Sequence, residues 1–133
     1  MIYLLDTCTI SDFVKGHPKV IARLRETPPS DIAISSVTRM ELEYGLALNP
    51  QRTVKIGPVL EALLGEIVCL PLENAEAKAA GALRAALKKQ GTPIGAYDVL
   101  IAATALVHGL VLVTSNTGEF LRVGGLNVED WRE

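Results

Sequence analysis

Four acidic residues stand at positions where an ionised side chain needs an explanation. Asp6 ends the short apolar run at residues 2–5, and Asp98 opens a segment, residues 99–107, that is apolar on every side. Glu41 and Glu119 each follow a predicted strand or open a predicted helix. A carboxylate beside a buried element is costly unless its charge is compensated. The four acids are therefore candidates for a common site.

The distribution of cations indicates what that site would bind. Residues 1–14 and 90–121, which contain three of the four acids, include no lysine or arginine. Carboxylates gathered without basic partners raise one another's pKa unless a divalent ion supplies positive charge. Hard oxygen ligands suit Mg²⁺, or Mn²⁺ in its place, rather than zinc. If the fold brings the acids together, the pattern predicts a site for such an ion.

Each acid also has a purely structural interpretation. Asp6 could cap a helix that begins near Thr9, and Asp98 could complement the dipole of its own helix. Thr38-x-x-Glu41 has the form of a capping box, and this interpretation of Glu41 is as good as the functional one. For Asp6 and Asp98 we favour function, because each adjoins a buried apolar element. For Glu119 and Asn116 the local pattern alone favours a surface acid and a turn residue.

Other reactive residue types lack the partners that chemistry would need. His17 and His108 belong to no catalytic or metal-binding motif, and no nearby histidine activates Cys8, which we expect to be a packed thiol. Arg84 and Lys88 lie one helical turn apart, a spacing that most often marks a solvated face.

The predicted elements alternate between strand and helix. Strands are expected at residues 2–5, 32–37, 67–70 and 110–114, with a last short one within 127–131. Helices are expected at 9–16, 18–26, 38–48, 52–66, 74–90 and from 98 to 108, and residues 115–120 are expected to be a loop. This order is typical of a parallel, doubly wound α/β sheet flanked by helices. In such sheets the ligand crevice lies beyond the carboxyl ends of the strands, where Asp6 falls.

Length and composition set broad limits. The chain of 133 residues is expected to form a single domain over 1–133, and its 49% hydrophobic and 21% charged residues are ordinary for a globular protein. The formal net charge of −2 gives no sign of nucleic-acid binding, although a local basic rim would suffice for it. The two cysteines form no recognisable motif, and the sequence shows no secretory signal, which together predict a cytoplasmic protein. No apolar run reaches about 18 residues, so we expect no membrane-spanning segment.

Several motifs together resemble one family. These are Leu5-Asp6-Thr7, Ser36-Val37-Thr38-x-x-Glu41-Leu42-x-x-Gly45, Gly91 to Asp98 with Ile101-Ala102, and Leu112 to Phe120 followed by Gly125-Leu126 and Trp131. Each is weak alone, but the ordered set is similar to the VapC-type toxins of the PIN-domain ribonuclease family over essentially the whole chain.

The resemblance implies a fold, an activity and partners. The fold is a Rossmann-like parallel sheet flanked by helices, and the activity is that of a Mg²⁺-dependent endoribonuclease. The expected partners are a VapB-like antitoxin, an RNA substrate and a second copy of the chain in a homodimer. By resemblance, Asp6 and Asp98 match the principal metal-binding aspartates, Glu41 the third acid, and Asn116 with Glu119 the region of the fourth. Cys8 stands where many relatives have asparagine.

The resulting hypothesis is metal-assisted hydrolysis of a structured RNA, in a tRNA or rRNA loop, to inhibit translation. Asp6, Glu41, Asp98 and Glu119 would be catalytic, and hydroxyl or amide groups would hold them or their waters: Thr7, Thr114 and Asn116. Candidate RNA contacts are Lys15, Arg23, Arg25 and Arg39. Two alternatives stay open. One is an aspartyl-phosphate enzyme with Asp6 as nucleophile, and the other is a catalytically silent binding module whose acids serve only as caps.

Overall fold

A five-stranded parallel sheet organises the chain, which a computed structural model describes over all residues, 1–133. The strands are β1 (Tyr3–Leu5), β2 (Ile32–Ser35), β3 (Val68–Leu70), β4 (Val111–Val113) and β5 (Val128–Glu129). Their order across the sheet is β3-β2-β1-β4-β5, and every neighbouring pair is parallel. The strand that comes first in the sequence is therefore the central one.

Seven α-helices connect the strands and cover both faces of the sheet. They are α1 (Thr7–Val14), α2 (Pro18–Glu26), α3 (Ser36–Leu48), α4 (Pro50–Leu64), α5 (Asn74–Gln90), α6 (Ala96–His108) and α7 (Thr117–Phe120). The predicted parallel α/β architecture is confirmed. None of these helices is both long and apolar enough to cross a membrane.

Two neighbouring residues of the central strand pack into separate hydrophobic cores, one on each face of the sheet. Leu4 packs with residues of α5, α6 and α7, whereas Leu5 packs with residues of α1, α2 and α4 on the other face. Both leucines are fully buried. Because successive side chains of a strand point to opposite faces, a continuous apolar run is what a sheet covered on both sides requires. This burial holds the end of β1, and so Asp6, in a fixed place.

Helix α6 is the most deeply buried helix. Its residues from Ile101 to Ala105 are buried without interruption, as the all-apolar sequence predicts. The helix ends at Gly109, which adopts the left-handed conformation with φ of 64°, and α5 ends in the same way at Gly91, with φ of 74°. The burial of α6 fixes its first turn, which contains Asp98.

Four helices, α1, α3, α4 and α6, begin two residues before their predicted starts. Helix α3 is capped by Ser35, whose hydroxyl oxygen accepts the backbone N–H of Thr38 at 3.1 Å. The proposed capping box of Thr38 and Glu41 is therefore wrong, and Glu41 lies well inside the helix. Helix α5 begins at Asn74, as predicted. The expected loop at 115–120 contains the short helix α7, which places Glu119 in a helical turn.

The carboxyl-terminal segment packs against the first helices. Trp131 is only 2% exposed, meets the ring of Tyr3 edge-on at 5.2 Å between centroids, and receives the guanidinium of Arg23 over its face at 5.0 Å. Arg132 makes two hydrogen bonds of 2.7 Å to the carboxylate of Asp12. The end of the chain thus stabilises the helix that starts at the central strand.

Candidate metal centre at the carboxyl edge of the sheet

The predicted acids come from separate segments and meet beyond the carboxyl ends of the strands. Asp6 follows β1, and Asp98 lies in the first turn of α6. Glu41 projects from α3, which follows β2, and Glu119 from α7, which follows β4. Their charges act on one another, because Glu119, Glu41 and Asp6 all help to raise the pKa of Asp98. The fold therefore places all the predicted acids at one edge.

Asp6 is fixed by hydrogen bonds to α1 and to the end of β4. It is 3% exposed, and its Oδ1 accepts the backbone N–H of Thr9 at 2.9 Å, so it does cap α1. The hydroxyl of Thr9 in turn donates to the carbonyl of Val113 at the end of β4. Burial raises the pKa of Asp6, and hydrogen bonding from Thr114 and Thr9 offsets only part of this effect. The cap interpretation and a functional role are thus compatible at this residue.

Glu41 is oriented by a residue of a different helix. The hydroxyl of Thr7 donates to Oε1 of Glu41 at 2.7 Å, and the two residues are 34 positions apart. No other hydrogen bond engages the Glu41 carboxylate, so its second oxygen is open to a ligand. A charge-assisted bond of this kind fixes the orientation of a carboxylate more firmly than a bond between neutral groups. Thr7 therefore couples the start of α1 to the acid on α3.

Asp98 and Glu119 form a carboxyl pair. Burial, followed by the hydrogen bond and the charge of Glu119, raises the pKa of Asp98 to about 7. Burial alone would raise the pKa of Glu119 as well, but hydrogen bonds from Gly95 N–H, the Asn116 amide and Asp98 outweigh it and lower that pKa. The Asn116 side-chain amide lies 2.6 Å from Oε2 of Glu119. Of the two carboxyl groups, Asp98 therefore holds a proton more readily than Glu119.

Gly95 must be small because the carboxyl pair lies against its backbone. A Cβ built at this position would stand 3.2 Å from Oδ2 of Asp98 and 3.5 Å from Oε1 of Glu119. The Gly95 N–H donates to Oε1 of Glu119. With a donor on each side, the Gly95 N–H and the Asn116 amide, both oxygens of Glu119 are engaged, so Asp6, Glu41 and Asp98 are the freer ligands.

Thr114 and Asn116 shape the other wall of the site. Thr114 is fully buried directly after β4, and its hydroxyl oxygen accepts the backbone N–H of Asn116 at 3.0 Å. This bond fixes the turn that leads into α7. Asn116 therefore orients Glu119, and it is not itself a carboxylate ligand.

The donor set fits a hard divalent cation. The candidate ligand atoms are carboxylate oxygens, and none of the four acids forms a salt bridge. As the side chains stand, no three carboxylate, histidine or cysteine groups are close enough together to enclose an ion.

The residues predicted to contact RNA differ in whether they form ion pairs within the protein. Arg23 pairs with Glu129 at 3.1 Å and stacks on Trp131, and Arg39 pairs with Glu43 at 3.0 Å and with Glu61 at 3.6 Å. Both arginines therefore already have partners within the protein, and their contact with RNA stays a prediction. Lys15 and Arg25 are exposed and form no ion pair.

Cys8 lies beside the site but is not a nucleophile. The residue is exposed, so the expectation of a packed thiol is wrong. Partial desolvation, and then the charge of Asp6, raises the pKa of its thiol to about 11. The thiol therefore stays protonated at neutral pH, where only a thiolate would react readily.

Sequence reasoning missed three contributors to the site. Thr9 and Gly95 act through backbone N–H groups, which no side-chain motif reveals. Arg122 donates to the carbonyl of Pro93 at 2.9 Å, and its charge also lowers the pKa of Glu119. The sequence signal for Arg122 was its position directly after residues 90–121, which contain no lysine or arginine.

Fold and site together define a class: a Rossmann-like α/β domain whose functional edge is built from carboxylates that lack basic partners. The chain belongs to the PIN domain family, whose model matches residues 3–126, and within it to the VapC-type ribonucleases. It is 39% identical over 131 residues to a tRNA(fMet)-specific endonuclease VapC of Shigella flexneri, covering 97% of each chain.

Solved structures agree with this assignment. A chain of DNA-bound VapBC from Salmonella typhimurium matches with a TM-score of 0.88 at 38% identity, covering 98% of each chain. VapBC2 from Rickettsia felis, bound to promoter DNA, matches with a TM-score of 0.89 at 30% identity, covering 98% of this chain and 99% of that one.

Proposed function

We propose that this chain is the ribonuclease toxin of a toxin–antitoxin pair, a Mg²⁺-dependent endonuclease that cuts structured RNA in the cytoplasm and thereby inhibits translation. The observation that supports this most directly is the edge where Asp6, Glu41 and Asp98 meet without a salt bridge. The similarity to VapC ribonucleases over nearly the whole chain supports the same activity.

Asp6, Asp98 and Glu41 would hold the ion, with Glu119 beside them. A bound Mg²⁺ supplies Lewis-acid stabilisation of charge on the phosphate oxygens, and Mn²⁺ suits the same ligands. Ionisation of Asp98 would make its carboxylate available for this role. We expect Glu119 to remain with Gly95 and Asn116, because both of its oxygens already accept hydrogen bonds.

The protein's own groups are arranged for hydrolysis by water. Glu41, held through Oε1 by Thr7, can accept a proton from an attacking water at its free oxygen. The water oxygen forms a bond to phosphorus as the bond to the 3′ oxygen breaks, and the departing oxygen takes a proton from solvent. The products then carry a 3′ hydroxyl and a 5′ phosphate. Buried Asp6 fixes the position of the site relative to the central strand.

Initiator tRNA is the first substrate to test. The Shigella flexneri relative is named as a tRNA(fMet)-specific endonuclease, and it shares 39% of its residues with this chain. Sequence-specific proteins usually read RNA at unpaired loops rather than in the duplex. We therefore expect cleavage at an unpaired position of this tRNA.

We also propose a cognate VapB-like antitoxin as partner. The structural neighbours include VapB–VapC complexes, and the unpaired acids of this chain would attract a basic residue from such a partner. Homodimerisation stays a prediction. Light scattering on the toxin alone and on its complex tests both assemblies.

Sequencing of RNA ends after brief expression tests the activity. Wild-type protein should create new 5′-phosphate ends in initiator tRNA, whereas Asp6→Asn should create none. Purified wild type should make the same cut with Mg²⁺ and lose it with a chelator. Identical ends from both proteins would show that this site does not cleave RNA.

Thr7→Val should lower the rate of cleavage about tenfold, because the Glu41 carboxylate loses a charge-assisted hydrogen bond. Thr7→Ser keeps the hydroxyl and should retain most of the activity. The measurement is kcat/KM on the tRNA transcript, with thermal unfolding as a check on folding. Equal rates for Thr7→Val and wild type would remove Thr7 from the mechanism.

Of the two alternatives, only the silent binding module is supported by a structural observation, because Asp6 caps α1. The aspartyl-phosphate alternative gains none, because Asp6 is buried and one of its oxygens is already engaged. Calorimetric titration with Mn²⁺ separates the silent module from the nuclease. A module whose acids are only caps would show no binding that is lost in Asp98→Asn.

A further inference from the structure

We propose that a cavity between α5 and α6 binds one unpaired nucleotide of the RNA next to the cleaved bond. This inference rests on the proposed function and names a part of its substrate-binding surface. The cavity has a volume of about 370 Å³. We call it the α5–α6 cavity, and its lining residues are Arg84, Leu87, Lys88, Pro93, Ile94, Ala96 and Val99.

The lining combines an apolar floor with a cationic rim. Leu87 and Val99 are buried at 2% and 4% exposure and form the floor with Ile94. Arg84 and Lys88 are exposed, lie one helical turn apart on the same face of α5, and form no ion pair. An apolar surface flanked by free cations is suited to a base and its neighbouring phosphates.

The cavity and the acidic site share a wall. Pro93, Ile94 and Ala96 line the cavity, and Gly95 between them donates its N–H to Glu119. Val99 lies next to Asp98 in the same helix. A nucleotide in the cavity would therefore lie against the loop that also supports the carboxyl pair.

A third cation stands at this wall. Arg122 is exposed, donates to the carbonyl of Pro93 at 2.9 Å, and is near enough to Glu119 to lower its pKa. With Arg84 and Lys88 it brackets the loop at residues 93–96. Positive charge therefore lies beside the acidic site on this flank, where a polyanion has to approach four carboxylates.

An RNA nucleotide fits this cavity better than a protein segment does. No acidic residue lines the cavity, and its two charged residues are free cations, so the complementary occupant is an anion with a flat apolar part. The cores of protein–protein interfaces are depleted in charged residues. A single unpaired nucleotide has both features.

The test uses two double variants with equal loss of charge on the same helix. Arg84→Ala/Lys88→Ala removes the cavity cations, whereas Lys78→Ala/Lys89→Ala removes two cations of α5 that do not line it. Initial rates are measured on an initiator tRNA transcript with Mg²⁺ at several salt concentrations. The cavity variant should raise KM about tenfold with kcat nearly unchanged, and the control should stay close to wild type.

Salt dependence gives a second readout. Loss of two phosphate contacts should reduce the slope of log(1/KM) against log[salt] by about 1.4, at about 0.7 for each contact with single-stranded nucleic acid. Ala96→Phe keeps both cations but fills the cavity, and it should raise KM without changing the salt slope.

Three results would overturn the inference while leaving the proposed function intact. These are an unchanged KM in the cavity variant, an equal rise in both double variants, or a loss of antitoxin binding with normal RNA kinetics. The last result would assign the cavity to a protein partner. Failure of the wild type to cut the transcript would instead refute the proposed tRNA activity, and this inference with it.

Discussion

Asp98→Asn should abolish most RNA cleavage and at the same time stabilise the metal-free protein. Removing the carboxylate that we propose as a metal ligand should lower the rate by about 10²–10³-fold. The stability gain follows from the raised pKa of Asp98, which burial and Glu119 shift to about 7. A group that resists ionisation in the folded state makes that state less stable wherever it must ionise.

The sign of the pH dependence follows from the same shift. Between the unfolded pKa of Asp98, about 4, and the folded value of about 7, the folded protein holds a proton that the unfolded chain has released. Wild-type stability therefore falls as pH rises through this window and levels off above it. The gain in Asp98→Asn should be absent near pH 4 and reach on the order of 1 kcal/mol above pH 7, because solvent screens this partly exposed group.

Urea unfolding at pH 4, 6 and 8 in a chelator, combined with cleavage assays, measures both effects. Glu26→Gln, which removes an exposed acid at the end of α2, is the control and should change neither quantity. A variant that loses activity and stability together at pH 8 would show that Asp98 is structural rather than functional.

Trp131→Ala should have the opposite profile, with a large loss of stability and an intact site. The side chain is 2% exposed and contacts Tyr3 and Arg23, so its truncation leaves a cavity against the central strand. We expect the free energy of unfolding to fall by about 3–5 kcal/mol. At temperatures where the variant is folded, kcat on the tRNA transcript should match that of the wild type.

Two further variants make this result specific. Trp131→Phe keeps an aromatic ring but loses the indole N–H that donates to Glu129 at 3.2 Å, and it should cost less than the alanine variant. Leu121→Ala removes an apolar side chain that is 69% exposed and should have almost no effect. If Trp131→Ala and Leu121→Ala unfolded at the same urea concentration, the packing described for the chain end would be wrong.

The strands and helices were predictable because their signals are local. Leu4 and Leu5 belong to an uninterrupted apolar run, and such runs alternating with helical segments favour a parallel sheet covered on both faces. Asp6 and Asp98 stood out because each ends or opens such a run. Relations between distant segments left no local signal.

The failures show where local patterns stop being informative. Thr38 and Glu41 match a capping box, but Ser35 starts the helix earlier, and a partner from another helix takes the glutamate. Arg23 looked like a free cation because Glu129, its partner, is distant in sequence. Such pairings depend on tertiary packing, which no local pattern encodes.

The position of β1 has a consequence for newly made protein. Tyr3 pairs with Val111 across the centre of the sheet, and the functional edge also needs Glu119, so most of the chain must emerge from the ribosome before the edge can assemble. A nascent toxin is therefore expected to be harmless to the machinery that is translating it. That delay leaves time for a neutralising partner to be present at the moment of completion.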